Sequence, residues 1–370
     1  MQVILDTRNL NAGAPELSMI VPVFNVAPYV RECLESIRAN SLDVMLELII
    51  IDDGSTDGSH EVIESMLHDG AWPPLAYVRQ ANQGLSAVRN YGVALARGTY
   101  LGFLDSDDRI VSGALRRMID YAQCGGCDLI LGRTQIFDSG TGELSAFYDT
   151  AFWDLLIGGN PVSFTNALQS PELLSLEPNA NYRLISRQFY GGAALSFPEG
   201  LYFEDAAVHL RMLLRAKVIA LYGGDYYQYR VNRPGKITEE RSRRRFDVLQ
   251  VCTLALNELK EANVTPAQGG AALRGLFRLT WGCGIMTIEG QRHEFFTQAA
   301  DIFGAQVPWA WMTAYLRHHL MDLRHVVLGL LLTGSGDRVL ADFSAKRWPL
   351  LELVRFGIHF LFNLPGRARS

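Results

Sequence analysis

The sequence lacks features that define whole classes of protein. No apolar run reaches the roughly 18–20 residues that span a bilayer. The longest candidates are residues 326–332 and 348–364, and the second is interrupted by Glu352, Arg355 and His359. Basic residues are not in excess, because 34 Lys and Arg stand against 39 Asp and Glu for a formal net charge of −5. We therefore expect no membrane span and no nucleic-acid partner.

The chain also lacks the cysteine pattern and the leader of a secreted protein. Its five cysteines have no framework spacing, and residues 1–17 have neither a basic start nor a sustained apolar core. Cys124 and Cys127 form a lone CxxC, and the absence of a second pair favours structural cysteines over a zinc or redox site. These absences predict no signal peptide and a reduced, cytoplasmic setting.

Apolar residues make up 48% and charged residues 20% of the 370-residue chain, which indicates a globular protein. Its first half alternates apolar runs of strand length with segments whose apolar residues recur at helical spacing. We predict strands at residues 17–24, 46–51, 75–79 and 99–104, and helices at 28–39, from about 57, and at 84–96. The alternation predicts βαβ units, a parallel sheet and a ligand site beyond the carboxyl ends of its strands.

Beyond residue 104 the pattern is less regular. Residues 128–137 are predicted as a strand, 140–175 as surface loops, and 182–229 as short strands with a helix. From residue 241 onward the spacing of apolar residues is mostly helical.

Two acidic groups follow predicted strands and so share one edge of the sheet. Asp105, Asp107 and Asp108 follow the strand at 99–104. Carboxylates one residue apart can hold a hard cation such as Mg²⁺ or Mn²⁺, with substrate phosphates completing its shell. Asp53 follows the strand at 46–51, where a carboxylate can bind a base N–H or a ribose hydroxyl. For both groups an acidic loop that caps the next helix remains an alternative.

Arg89 lies on the predicted helix at 84–96, next to these strand ends. Its guanidinium could pair with the aspartates or with a phosphate, and a surface arginine is the other reading.

Four segments in order resemble the motifs of the family 2 glycosyltransferases, which are inverting enzymes with the GT-A fold. They are residues 21–25 (VPVFN), 51–57 (IDDGSTD), 82–90 (NQGLSAVRN) and 104–108 (LDSDD). Residues 177–180, 197–205 and 229–238 are similar to bacterial members that build capsule, exopolysaccharide, lipopolysaccharide or teichoic-acid sugars. The resemblance implies a GT-A catalytic domain over residues 16–240, a Rossmann-like mixed sheet flanked by helices. It leaves residues 241–370 as a helical C-terminal region for acceptor, membrane-surface or oligomer contacts.

The resemblance also implies a role for each matching residue. The donor is a nucleotide-diphosphate sugar, with a uridine nucleotide expected, and the acceptor is a glycan or a lipid-linked hydroxyl. Asp205, with Glu204 beside it, is the implied catalytic base. Asp105 and Asp107 are the implied ligands of Mn²⁺ or Mg²⁺. The implied donor-binding residues are Pro22, Phe24, Asn25, Asp53, Arg89, Asp105 and Ser106.

The proposed chemistry requires one carboxylate away from the metal. Inversion needs a base that takes a proton from the acceptor hydroxyl while the diphosphate leaves on the other side. Asp205 is about a hundred residues from Asp107, on a separate predicted element. An acidic pair at a helix N-terminus is the structural alternative for Glu204 and Asp205.

Two departures from related enzymes qualify the resemblance. Residues 228–230 (QYR) carry no histidine where some GT-A enzymes place a metal ligand. We therefore expect Arg230 or Lys236 to bind the donor instead, by contacting its phosphate from a mobile loop with Gly235 as hinge. The Gln-x-x-Arg-Trp motif of processive synthases is absent, which favours single-sugar transfer.

The last 56 residues are net positive, unlike the chain as a whole. Between Tyr315 and Ser370 there are eight Lys and Arg and four Asp and Glu. Interleaved aromatic and leucine residues there suit a membrane interface with anionic lipids, a helical core or a dimer interface. Localisation at the inner face of the plasma membrane is therefore an alternative to a purely cytoplasmic one.

Two other functions are alternatives to sugar transfer. A sugar nucleotidyltransferase should carry a Gly-rich basic loop after the first strand, where this chain has residues 22–25 (PVFN). A non-catalytic sugar-nucleotide-binding or scaffold protein on the same fold is the alternative from another class, and Asp105, Asp107 and Asp205 speak against it.

Overall fold

The structure is a computed structural model, and it describes residues 1–9, 13–233, 240–318, 328–330 and 332–334. The chain divides into two compact units, Met1–Glu240 and Arg241–Ser370. The first unit contains the sheet and every acidic motif, and the second is helical in its described part.

One mixed sheet of eleven strands forms the frame of the first unit. Nine of the strands lie side by side in the order β1-β4-β3-β2-β5-β10-β7-β11-β6, while β8 pairs with β7 and β9 with β11. The strands are β1 Gln2–Asp6, β2 Leu17–Val23, β3 Leu46–Asp52, β4 Leu75–Arg79, β5 Tyr100–Phe103, β6 Arg109–Ile110, β7 Leu129–Asp138, β8 Leu144–Ala146, β9 Val162–Thr165, β10 Arg183–Ser186 and β11 Ile219–Val231.

The helices of the first unit alternate with these strands along the chain. They are α1 Val30–Asn40, α2 Ser59–His68, α3 Leu85–Leu95, α4 Ala114–Gly125, α5 Thr150–Ile157, α6 Arg187–Gly192 and α7 Asp205–Arg215. The elements predicted up to residue 104 are confirmed, with ends that shift by about two residues.

The centre of the sheet is parallel because its strands are connected by helices. β2 pairs in parallel with both β3 and β5, and β3 pairs in parallel with β4. Every residue of β2 and β3 is buried, as expected for strands covered on both faces. The carboxyl ends of β2, β3, β4 and β5 therefore meet at one edge, which carries the predicted motifs.

Two antiparallel pairings were not predicted from the sequence, although a short strand was expected near residue 182. β1 pairs with β4 at the outer edge, and β10 inserts antiparallel between β5 and β7. Because β10 runs the opposite way to β5, the residues just before Arg183 lie at the edge where β5 ends. Residues 140–175, predicted as loops, contain β8, α5 and β9, so that prediction was wrong. The strands β8 and β9 contain no fully buried residue, so they show no clear apolar pattern.

The second unit confirms the predicted helical C-terminal region in its described part. Its helices are α8 Asp247–Glu261, α9 Pro266–Met286, α10 Arg292–Gln306 and α11 Trp309–His318. Thr265 and Gln268 form a reciprocal capping box at the start of α9. Across the described residues, no helix has both the length and the apolar character that a membrane crossing requires. The basic, aromatic-rich stretch predicted as an interface falls largely outside the described residues.

Candidate functional site

The loops that follow β2 and β3 are tied together at the strand ends. Asn25 has a left-handed backbone, with φ of 52°. Its main-chain N–H donates to Ser55 Oγ at 3.1 Å, and its side-chain oxygen accepts from the N–H of Thr56 at 2.9 Å. Phe24 beside it keeps 48% of its surface exposed, so its ring is available to a ligand. Pro22 lies within the buried β2.

Asp53 organises the loop that leads into α3. Its buried carboxylate accepts from Gln80 Nε2 at 2.8 Å and from the N–H groups of Gln83 at 2.9 Å and Gly84 at 2.8 Å. Gly54 allows this approach, because a Cβ there would lie 3.1 Å from the nitrogen of Asn82. The predicted base-binding aspartate is thus held rigidly at the correct edge, and its contact with a base remains a prediction.

Arg89 joins two parts of the chain that are far apart in sequence. It is 2% exposed, and it donates to Glu204 Oε1 at 2.5 Å and to Asp105 Oδ1 at 2.9 Å. Its guanidinium also lies 5.2 Å from the ring centre of Phe197. Although burial opposes the charge, Asp105 and Glu204 raise the pKa of Arg89, so it stays cationic. Of the two sequence-based readings, the structure supports pairing with the acidic groups.

Asp105 is the most accessible carboxylate of the cluster, with 31% of its side chain exposed. Its second oxygen accepts from Asn181 Nδ2 at 2.8 Å, and the same amide lies 3.2 Å from the hydroxyl of Tyr227. Asp105 is therefore fixed from both sides, by Arg89 on α3 and by the residue that leads into β10. Ser106 beside it is buried.

Asp108 has a structural role within the cluster. It accepts hydrogen bonds from the Tyr227 hydroxyl and, at 2.6 Å, from the N–H of Arg230. Burial, with the charges of Asp107 and Asp105 adding to it, raises the pKa of Asp108 well above its usual range. These bonds anchor the aspartate loop to β11.

Asp107 is held by two arginines from the end of β11. Arg230 Nε donates to the main-chain oxygen of Asp107 at 2.5 Å, and Arg233 Nε donates to its carboxylate. Arg230 is buried, and its guanidinium also donates to Glu32 on α1. Glu32 accepts from Arg109 as well. Arg230 thus lies on a strand rather than on a loop, and its predicted contact with a phosphate stays a prediction.

Glu204 and Asp205 begin α7, immediately after a strained residue. Phe203 has a φ of 65°, a left-handed conformation that is rare for a bulky side chain. Burial and the charge of Glu204 raise the pKa of Asp205 to about 8. Burial also raises the pKa of Glu204, against the opposing effect of Arg89. Among the described residues, no group donates a hydrogen bond to the Asp205 carboxylate, which leaves it able to accept a proton.

The chemistry of Asp105 and Asp107 fits a divalent cation that shares a diphosphate. Both offer hard carboxylate oxygens, and both already contact arginine cations. In the described part of the chain, no group of three or more His, Cys, Asp or Glu side chains converges into a complete site. Mg²⁺ and Mn²⁺ are commonly held by one or two carboxylates with phosphate and water oxygens, which matches this pair.

Several residues of the site are not predicted from the sequence, and one predicted residue lies outside the described residues. Three of the unpredicted residues are partners of the acidic groups, namely Asn181, Tyr227 and Arg233. The fourth, Glu32, is the partner of Arg230. Each meets its partner across more than 70 residues of chain, so no local spacing reveals the contact. Lys236 falls within residues 234–239, outside the description.

Solved structures with the same architecture support the fold. The structure of S. aureus TarS residues 1–349 in complex with UDP-GlcNAc has a TM-score of 0.67 at 19% identity, covering 87% of this chain and 92% of that one. The mannosyltransferase PcManGT from Pyrobaculum calidifontis, in complex with GDP-Man and Mn²⁺, has a TM-score of 0.53 at 15% identity, covering 89% and 88%. These likenesses confirm the predicted GT-A fold.

Sequence comparison points to one family. Residues 18–170 match the family model described as glycosyl transferase family 2. An uncharacterized glycosyltransferase, EpsJ of Bacillus subtilis (strain 168), is 30% identical over 235 residues, which is 61% of this chain and 63% of that protein. This chain therefore spans just over three fifths of that relative's length. The ordered motifs, the sheet edge that they share and the family match together assign residues 18–170 to glycosyl transferase family 2.

Proposed function

We propose that this protein is an inverting glycosyltransferase that moves one sugar from a nucleotide-diphosphate sugar to a hydroxyl. The observation that carries the proposal is the Arg89 bridge. One buried guanidinium contacts Asp105, on the side expected for the donor, and Glu204, beside the expected base. A site for donor and acceptor chemistry needs these two groups side by side.

Asp205 is the proposed base. It accepts the proton of the acceptor hydroxyl as that oxygen attacks the anomeric carbon from the face opposite the diphosphate. A single displacement of this kind inverts the anomeric configuration, and no covalent sugar–enzyme bond forms. A pKa of about 8 suits proton transfer near neutral pH. Arg89 holds Glu204 in place and reduces the repulsion between the two carboxylates.

The donor lies across the carboxyl ends of β2, β3 and β5. Phe24 offers an exposed ring to the base, and Asp53 lies on the neighbouring strand end. A uridine nucleotide is the expected donor, in keeping with the UDP-GlcNAc bound by the TarS structure. A divalent cation held by Asp105 and Asp107 would neutralise charge on the departing diphosphate.

The acceptor class rests on the resemblance of residues 177–180, 197–205 and 229–238 to bacterial enzymes of cell-surface polysaccharide synthesis. We propose a glycan or lipid-linked hydroxyl as acceptor. Residues 241–370 are the predicted region for contacts with the acceptor, a membrane surface or a second copy. A cytoplasmic location, at or near the inner face of the membrane, stays part of this prediction.

The Asp205→Asn variant tests whether the protein catalyses transfer or only binds the donor. A panel of nucleotide sugars, with and without Mn²⁺ or Mg²⁺, is screened by thermal shift and nucleotide release. We expect Asp205→Asn to keep donor binding and to lose release by a factor of roughly 10²–10⁴. Asp120→Asn is the matched control, because Asp120 is an exposed partner of Arg116 on α4. Donor binding with wild-type turnover in Asp205→Asn would favour a different base, and binding without turnover in the wild type would favour the scaffold alternative.

A further inference from the structure

Arg233 occupies the position of a cation beside Asp107. Its Nε donates to Asp107 Oδ2, and neither side chain is freely solvated, with 13% and 11% exposed. Pairs so little exposed are screened much less by salt than surface pairs. Asp107 thus has a positively charged partner supplied by the protein itself.

The backbone and an aromatic ring hold Arg233 at this place. It follows Asn232, whose left-handed backbone, with φ of 54°, turns the chain at the end of β11. The side-chain amide of Asn232 donates to Asp138 Oδ2 at 2.5 Å, which fixes that turn to β7. The Arg233 guanidinium lies 5.5 Å from the ring centre of Tyr29. Arg233 is therefore directed at Asp107 by local structure.

The neighbouring Arg230 differs from Arg233 in its bonding. Its guanidinium donates to Glu32 and to the main-chain oxygen of Asp107, so a carboxylate other than Asp107 balances its charge. Arg230 can keep these bonds when a metal ion binds. Arg233 instead contacts an oxygen of the Asp107 carboxylate itself, the group proposed to hold the metal ion.

We propose that Arg233 competes with the divalent cation for Asp107. The inference rests on the proposed function, in which Asp107 is a metal ligand. A divalent ion bound to Asp107 would face a guanidinium at the same carboxylate, so the ion binds only as Arg233 moves away. Asp107 is thereby kept neutralised by the protein, and the affinity for the metal is lower than the two carboxylates alone would give.

The test measures Mn²⁺ binding directly, without donor or turnover. Mn²⁺ is titrated into the full chain, and free Mn²⁺ is followed by its EPR signal. We expect Arg233→Gln to bind Mn²⁺ roughly threefold to tenfold more tightly than the wild type, because the competing ion pair is gone. Arg233→Lys keeps the charge and should stay close to the wild type. Circular dichroism and thermal melts verify that each variant is folded.

Arg243→Gln is the matched control, because it removes the same charge and another arginine–carboxylate pair, that with Glu294, in the second unit. It should leave Mn²⁺ affinity unchanged. Equal or weaker Mn²⁺ binding in Arg233→Gln would overturn the inference, as would an equal gain in Arg243→Gln.

Asp107→Asn distinguishes this inference from the metal role itself. If wild-type Mn²⁺ binding is lost in Asp107→Asn but unchanged in Arg233→Gln, only the competition is refuted. If no variant binds Mn²⁺, the metal-dependent part of the proposed function fails together with the inference. Binding that appears only in Arg233→Gln would support both.

Discussion

Asp205 connects the pH of the medium to both catalysis and stability. Its ordinary pKa is 3.8, and the folded protein raises it to about 8. Only the deprotonated carboxylate can accept a proton, so we expect the transfer rate to rise with pH and to level off above about 8. The rate of nucleotide release between pH 5 and 9.5 tests this expectation. A rate that is flat or falls over that range would contradict Asp205 as the base.

Stability should follow the opposite course with pH. Folding favours the protonated form of Asp205, so that contribution is complete below pH 3.8 and is lost as the pH rises through about 8. We expect the wild-type free energy of unfolding in urea to fall as the pH approaches about 8. At the acidic end of the window, carboxylates with lowered pKa values such as Glu32 and Asp57 add stability with rising pH and oppose this fall. In Asp205→Asn the fall should be smaller, whereas Asp120→Asn should behave like the wild type.

At the scale of elements, the loop after β3 depends on one glycine. Gly54 has a φ of 80°, and an added Cβ would lie 3.1 Å from Asn82 N and 3.2 Å from Gln80 O. Both are main-chain atoms, which cannot swing aside. We expect Gly54→Ala to reduce the free energy of unfolding by about 2–3 kcal/mol in urea titrations.

Gly126→Ala is the control for that substitution. Gly126 is also left-handed, with a φ of 57°, but nothing lies within 4 Å of its added Cβ. It should cost only about 1–2 kcal/mol. Equal costs for the two substitutions would show that crowding at Gly54 is not important for the loop.

The burial of a strand decides whether it can be predicted from the sequence. β2 and β3 are buried over their whole length, so their apolar runs are continuous and their carboxyl ends could be located. Because β5 is buried in the same way, Asp53 after β3 and Asp105 after β5 could be assigned to one edge of the sheet. β1 and β10 could not be placed, because pairing direction depends on distant strands and leaves no period in the local sequence.

The partners of the site were hidden for the same reason. Arg89 could be predicted to face the aspartates, but its bond to Glu204 spans 115 residues. Tyr227 and Arg233 lie in or just after β11, among residues whose local pattern indicates only a strand. The sequence predicts the acidic groups well, whereas their counter-charges emerge only from the folded sheet.

At the scale of the molecule, ligand binding should protect the two units unequally. UDP with Mn²⁺ at about a hundred times its Kd should stabilise the unit that binds it by about 2.7 kcal/mol. Hydrogen exchange should slow in β3, β5 and α3, with a smaller change in α8 and α9. The Asp107→Asn variant should lose the part of this slowing that depends on Mn²⁺. Equal slowing of hydrogen exchange in both units would contradict this prediction, because it would show that the ligand stabilises the whole chain.

The bonds that organise the aspartate loop also bear on how the protein is made. Arg230 reaches back 198 residues to Glu32, and Tyr227 reaches back 119 to Asp108. At about 5–20 residues per second, a ribosome needs roughly 10–40 s to add that longer stretch. During synthesis the aspartates therefore emerge long before β11 does. A nascent or prematurely terminated chain would carry the recognisable motifs of residues 18–170 and still lack a working site.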